Sequence, residues 1–116
     1  MVKVIRVDGS QKLIHCLASS RRQEGFPVFI ADKTGKILWE GKASKRTESV
    51  DLSGSEAYLV HLYESNSGLR YVYVYKICGE ADGAQLEEFR EDQLGLVMTR
   101  LPGEAGQRAV RWLIRA

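Results

Sequence analysis

The side chains that could act as metal ligands or nucleophiles are few, because the chain has only two histidines and two cysteines. His15 and Cys16 are adjacent in a stretch typical of a β-strand, where neighbouring side chains point to opposite faces of the sheet. The two therefore cannot easily ligate one ion. A site made of His15, His61 and a carboxylate would require their strands to lie side by side. We predict neither a metal site nor a cofactor.

Four of the fifteen acidic residues cluster in one segment, which also contains Arg90: Glu87, Glu88, Glu91 and Asp92. Mixed charges of this kind are typical of a solvated face. The sequence contains no G-x-S-x-G elbow, no G-x-x-x-x-G-K-[ST] loop and no H-E-x-x-H helix. We therefore predict no catalytic residues and a protein that is not an enzyme.

Residues 56–78 show the clearest pattern, EAYLVHLYE, SNSG and LRYVYVYKIC. Two runs rich in Tyr, Val and Leu flank a short Ser/Asn/Gly turn, which predicts a long antiparallel β-hairpin. If Asn66, Ser67 and Gly68 form a three-residue loop, Gly68 takes the left-handed position that closes it. Glu64 then faces Arg70, and the pairing continues to Leu59 opposite Tyr75.

This register places aliphatic side chains on one face of the hairpin and most of its rings on the other. The face has three interpretations: packing under neighbouring strands, a protein–protein interface, or a platform for sugars. Sugar platforms more often display Trp, and both tryptophans lie in other predicted strands. The residues predicted to bind a partner are Leu59, His61, Tyr63, Tyr71, Tyr73 and Tyr75.

The charge pattern argues against a nucleic-acid partner. Seventeen basic and fifteen acidic residues give a net charge of +2, which is small for a dedicated nucleic-acid binder. The only basic residues in the predicted hairpin are Arg70 and Lys76, and strand alternation turns both side chains away from the tyrosines.

The remaining sequence predicts further hairpins and an all-β fold in one domain, residues 1–116. We expect about eight antiparallel strands in a β-sandwich, with a small β-barrel as the alternative. One helical turn is expected near residues 84–92, from the spacing of Leu86 and Phe89, and a short edge strand at 49–52. The other predicted hairpins pair 2–7 with 11–18, 26–31 with 36–40, and 94–101 with 107–115.

The sequence shows no apolar run of membrane-spanning length and no secretory signal at its start. We therefore expect no membrane span and, by default, synthesis in the cytoplasm, with the final location undetermined. Cys16 and Cys78 are too few for a disulfide scaffold, and buried free thiols are the expected state.

The segment FIADKTGKILWEG, followed by ESVDLSGSEAYLVHLYESNSGLRYVYVYKI, resembles the second half of immunoglobulin-like and fibronectin-III-like bacterial sandwich domains. In those domains a D-x-x-G turn, an Asp-Leu strand and a Tyr-Leu-Val hairpin follow in this order. Cys16, Trp39 and Cys78 also follow the Cys…Trp…Cys order of immunoglobulin domains. The resemblance covers about half of the chain and implies a sandwich with a role in adhesion or assembly.

These observations together predict a non-enzymatic binding or assembly module, for example of a virion, a cell surface or a secretion apparatus. Its expected partner is another protein or a second copy, including pairing through an open edge strand. A carbohydrate-binding module is the first alternative. The second is a small ligand-binding barrel or enzyme with His15, His61 or Cys16 near a cavity.

Overall fold

The computed structural model describes residues 4–7, 12–16, 24–44, 48–51, 56–77 and 85–115. Within them the chain forms eight strands, one 3-10 turn and two helices. The strands are β1 (Val4–Val7), β2 (Lys12–Cys16), β3 (Pro27–Asp32), β4 (Ile37–Lys42), β5 (Glu48–Asp51), β6 (Ala57–Glu64), β7 (Arg70–Ile77) and β8 (Gln85–Arg90). The 3-10 turn is Glu91–Gln93, and the helices are α1 (Leu94–Arg100) and α2 (Gly103–Ile114).

The strands form two antiparallel sheets. The larger has five strands in the order β4-β3-β6-β7-β8, and the smaller has three in the order β1-β2-β5. The β-rich fold is therefore confirmed. The larger sheet is open, with β4 and β8 at its edges, so the predicted barrel is wrong for the described residues.

Three of the predicted hairpins are confirmed in the described residues. β1 pairs with β2, β3 with β4, and β6 with β7, each antiparallel. The β6–β7 register is the predicted one, from Glu64 opposite Arg70 to Leu59 opposite Tyr75. Gly68 closes the loop at φ 84°, and its N–H donates to the Ser65 carbonyl at 2.9 Å. The edge strand expected at 49–52 is also present, as β5 beside β2.

The last predicted hairpin, 94–101 with 107–115, is wrong because these residues form α1 and α2. The apolar alternation of Val110, Trp112 and Ile114 suggested a strand. The buried stripe of α2 instead follows Ala105, Ala109 and Leu113, which repeat every four residues along one helix face. The chain is thus not a sandwich of eight strands.

The helical turn expected near 84–92 is also wrong for the described part of that segment. Residues 85–90 form β8, which pairs with β7, and only the three residues that follow adopt a 3-10 turn. The spacing of Leu86 and Phe89 fits a helix locally. Pairing with the otherwise open edge of β7 satisfies backbone hydrogen bonds and buries Phe89, so tertiary context outweighs local spacing.

The five-stranded sheet carries a different core on each face. On one face, which we call the helix face, strand residues such as Phe29, Val60 and Val72 pack against α1 and α2. On the other, the tyrosine face, aliphatic residues of β3, β6 and β7 pack with Tyr73 and Tyr75. Val50 of the smaller sheet packs against this second cluster. Neither helix is long and apolar enough to span a membrane, judged on the described residues.

The turn between β3 and β4 contacts the start of α2. Asp32 Oδ1 accepts hydrogen bonds from the N–H of Thr34 at 2.8 Å and of Lys36 at 3.1 Å. Gly35 has φ 87°, and its carbonyl accepts a hydrogen bond from the Ala105 N–H at 3.0 Å. A Cβ at Gly35 would lie 1.9 Å from the Pro102 carbonyl oxygen, so only glycine allows this approach.

We expect Gly35→Ala to lower the free energy of unfolding by about 3 kcal/mol or more, because it adds a backbone clash to left-handed strain. Gly25→Ala is the matched control, since Gly25 has φ 88° but no described residue lies within 4 Å of the added Cβ. Gly25→Ala should cost only the strain, about 1 kcal/mol. Urea unfolding of both variants measures the difference, and equal losses would contradict close packing at Gly35.

Candidate functional site

The structure places most of the predicted partner-binding residues inside the protein. Leu59 and His61 are 0% exposed, Tyr73 is 5% exposed and Tyr75 is 4% exposed. Tyr63 and Tyr71 are half-buried. The sequence therefore sorted these residues onto the right face, but four of the six contribute to a core. Only Tyr63 and Tyr71 can touch a partner without displacement of what covers the face.

The rings on the tyrosine face form a contiguous stack along β6 and β7. The centroids of Tyr71 and Tyr73 lie 6.0 Å apart, and those of Tyr63 and Tyr71 lie 6.4 Å apart, both pairs near parallel. Burial, reinforced by the nearby Glu88 carboxylate, raises the pKa of Tyr73 to about 12. Burial also raises the pKa of Tyr75. These phenols are neutral at physiological pH and act as packing groups.

His61 lies within this stack, with centroid distances of 6.1 Å to Tyr63 and 6.2 Å to Tyr73. Within the described residues, neither ring nitrogen has a hydrogen-bond partner. Desolvation lowers the pKa of His61 to about 4, so the imidazole is neutral at pH 7. An unsatisfied buried polar group is costly, so this ring is held in place by the packing around it.

The strands that carry the two histidines are not neighbours within a sheet. His15 lies in β2 of the smaller sheet, whereas His61 lies in β6, whose neighbours are β3 and β7. No group of three His, Cys, Asp or Glu side chains in the described part of the chain could hold a metal ion. Cys78 lies outside the described residues.

The end of the β6–β7 hairpin is bound to the C-terminal end of α2 through Arg70. Its guanidinium carbon lies 3.9 Å from the centre of the Trp112 ring. Nε of Arg70 donates to Glu64 at 2.8 Å, and Nη1 donates to the Trp112 carbonyl at 3.0 Å. A planar cation thus stacks on the indole while it joins both strands to the helix.

Further contacts complete this connection. Trp112 Nε1 donates to the Tyr63 carbonyl at 3.3 Å, and the Phe26 ring meets the Tyr63 ring edge to face at 5.2 Å. Arg115 donates to the Gly68 carbonyl and to Glu64. The Arg70 hydrogen bond and the two guanidinium charges lower the pKa of Glu64. The hairpin end is therefore fixed by the helix instead of projecting freely.

A cavity of about 270 Å³ opens beside this fixed hairpin end. Leu69 is 52% exposed there, and Arg90, Glu91 and Asp92 are also exposed. The register that pairs Tyr71 with Arg90 brings the start of the 3-10 turn to the hairpin. We call Leu69, Tyr71, Arg90, Glu91 and Asp92 the tip surface. The cavity is lined by Leu69, Arg70, Arg90, Glu91 and Asp92.

Sequence reasoning missed the tip surface because its members come from two separate segments. The exposure of Arg90, Glu91 and Asp92 agrees with the solvated face that the charges suggested, whereas Glu87 is half-buried and pairs with Arg100 at 2.5 Å. Recognition of residues 85–90 as a strand beside β7 would have placed Arg90 next to Tyr71.

A second cavity of about 270 Å³ lies between β4 and α2. Its charged groups already pair with one another, because Arg108 binds both Glu40 and Glu104. In contrast, none of the three charged members of the tip surface forms an ion pair within the described residues. Within the described residues, the tip surface therefore has more charged groups without an ion pair than the second cavity has.

Comparison of the chain with protein-family models, curated proteins and solved structures found no match. The resemblance to immunoglobulin-like and fibronectin-III-like domains therefore stays a prediction.

The burial of His61 predicts a loss of stability in mild acid. The unfolded chain binds a proton near pH 6.5, whereas the folded chain resists it until about pH 4. The contribution of neutral His61 to the free energy of unfolding is fully present above pH 6.5. It decreases by about 3 kcal/mol as the pH falls towards 4. His61→Leu removes the titration. Urea unfolding at pH 7 and pH 4.5 should show a larger decrease in the free energy of unfolding for the wild type than for His61→Leu. Equal decreases would contradict the proposed role of His61.

The Arg70 contacts predict that Arg70→Lys destabilises the protein although it keeps the charge. Lysine lacks the planar group that stacks on Trp112 and reaches two acceptors, so we expect a loss of about 1–2 kcal/mol. Arg111→Lys is the control, because Arg111 is exposed on the same helix. Its effect should stay within about 0.5 kcal/mol. Thermal unfolding followed by tryptophan fluorescence compares Arg70→Lys with Arg111→Lys. Equal melting temperatures would contradict a stabilising role of the Arg70 contacts.

Proposed function

We propose that this chain is a non-enzymatic binding or assembly module that contacts a protein partner through the tip surface. The observation that supports the proposal is the exposure of Leu69 beside a cavity whose charged rim residues form no ion pair within the described part of the chain. An exposed leucine alone is ordinary on a protein surface. Here it lies next to Tyr71, Arg90 and two carboxylates, a combination typical of a contact surface.

The chemistry of the tip surface fits a protein interface. Leu69 and the half-buried ring of Tyr71 provide apolar area, and Arg90, Glu91 and Asp92 provide charge around it. Tyrosine and arginine are enriched in protein interfaces, where an apolar centre is surrounded by polar groups.

The rigidity of the hairpin end also supports binding. Arg70 and Arg115 connect it to the C-terminal end of α2, so the tip surface has a defined shape before a partner arrives. A preformed surface loses less conformational entropy on binding than a mobile loop.

The edges of the larger sheet are less suited to binding by strand addition. The β3–β4 register shifts between Ile30 and Ala31, which marks an irregularity in the edge pair. β8, the opposite edge, carries Glu87 and Glu88. Bulges and charged side chains are features that discourage edge-to-edge pairing.

A carbohydrate partner has less support from the rings. Tyr73 is 5% exposed, and Tyr63 and Tyr71 are half-buried, so little ring surface on this face is open. A sugar platform requires an open ring face, and these stacked rings offer little.

Replacement of Leu69 tests the proposal. We expect Leu69→Asp to weaken the binding of a protein partner at least about tenfold, because it puts a charge at the apolar centre of the contact. Leu38→Asp is the matched control, since Leu38 is 42% exposed on β4, away from the hairpin end. Proteins captured from the source cells are identified by mass spectrometry, purified, and titrated against each variant by calorimetry.

Circular dichroism establishes that both variants are folded. Equal affinity of the partner for Leu69→Asp and for the wild type would place the contact elsewhere on the molecule. A glycan array run in parallel separates the alternative, because glycan binding that depends on Tyr71 would favour a carbohydrate module.

A further inference from the structure

We propose that the partner of the tip surface is a second copy of this chain, bound about a two-fold axis with the two hairpin ends in contact. This inference depends on the proposed function and names the partner for that same surface. It follows from the arrangement of charge around Leu69.

The tip surface carries both signs of charge in adjacent positions. Arg90 ends β8, and Glu91 and Asp92 follow it at once in the 3-10 turn. All three are exposed, and within the described residues none is held in an ion pair of its own chain. In a two-fold dimer every contact occurs twice, with the roles exchanged. Arg90 can then face the partner subunit's Glu91 and the partner subunit's Asp92. Glu91 and Asp92 of the first subunit face the partner subunit's Arg90 in the same way.

The apolar part of the surface is self-complementary as well. With Leu69 near the axis, two exposed leucines meet and each covers the other's apolar area.

A partner of a single charge sign fits this surface less well. A purely basic partner would oppose Arg90, and a purely acidic one would oppose Glu91 and Asp92. The net charge of the chain is only +2, so two copies repel each other weakly. The surface is small, so we expect a reversible dimer whose population rises with protein concentration.

A charge exchange across the axis provides the test. Sedimentation velocity over a range of concentrations measures dimerisation of the wild type, of Arg90→Glu, and of the double variant Glu91→Arg with Asp92→Arg. Each variant alone places like charges opposite each other, so we expect its dimer to be at least tenfold weaker. An equimolar mixture of the two variants puts opposite charges back across the axis and should dimerise as tightly as the wild type.

Arg111→Glu is the control for the change in net charge, because Arg111 is exposed on α2, and it should dimerise like the wild type. A wild type that stays monomeric at every concentration overturns the inference, as does a mixture no tighter than its components. If the monomeric wild type still binds another protein through Leu69, only the identity of the partner is wrong. If Leu69→Asp changes neither dimerisation nor capture, the proposed function fails as well.

Discussion

The register between β6 and β7 is the constraint on which the other features of this structure depend. Glu64 opposite Arg70 fixes which side chains lie on each face of the five-stranded sheet. A shift by one residue would exchange the faces of one strand, because side chains alternate with a period of two. Arg70 would then turn away from Trp112, and the aliphatic residues under α1 and α2 would be replaced by tyrosines.

The same register explains why the tyrosine face contributes to a core. The sheet has α1 and α2 on one face, while Val50 of the smaller sheet packs on the other. Large rings fill space well and gain from stacking, so they suit a region where two sheets meet. The cost of this arrangement is concentrated in His61, whose two ring nitrogens have no hydrogen-bond partner in the part of the chain that the structure describes. Dense packing of apolar and aromatic groups around it offsets that cost at neutral pH.

The hairpin was predictable because its signals are local. Gly68 needs a left-handed conformation, and the side chains alternate on either side of it, so turn and strands agree. The C-terminal helices were not predictable, because the sequence signal is ambiguous. Val110, Trp112 and Ile114 alternate as in a strand, whereas small residues form the buried face of α2. Gly106 shows this, since a Cβ there would lie 1.9 Å from the Leu101 carbonyl oxygen. This close approach at the turn between α1 and α2 is not revealed by the spacing of the apolar residues.

The candidate site illustrates the same limit in a different way. Sequence alternation correctly grouped Tyr63 and Tyr71, but exposure depends on what covers a face, and most of the tyrosine face is covered. With both faces packed and the edges carrying an irregularity or charges, the hairpin end is one place where exposed apolar and charged groups lie together. Arg70 explains why that end can serve as a surface: a guanidinium stacked on Trp112 and bonded to Glu64 removes the mobility that a five-residue connection would otherwise keep. The defined shape of the hairpin end is therefore a consequence of its contacts with the C-terminal end of α2.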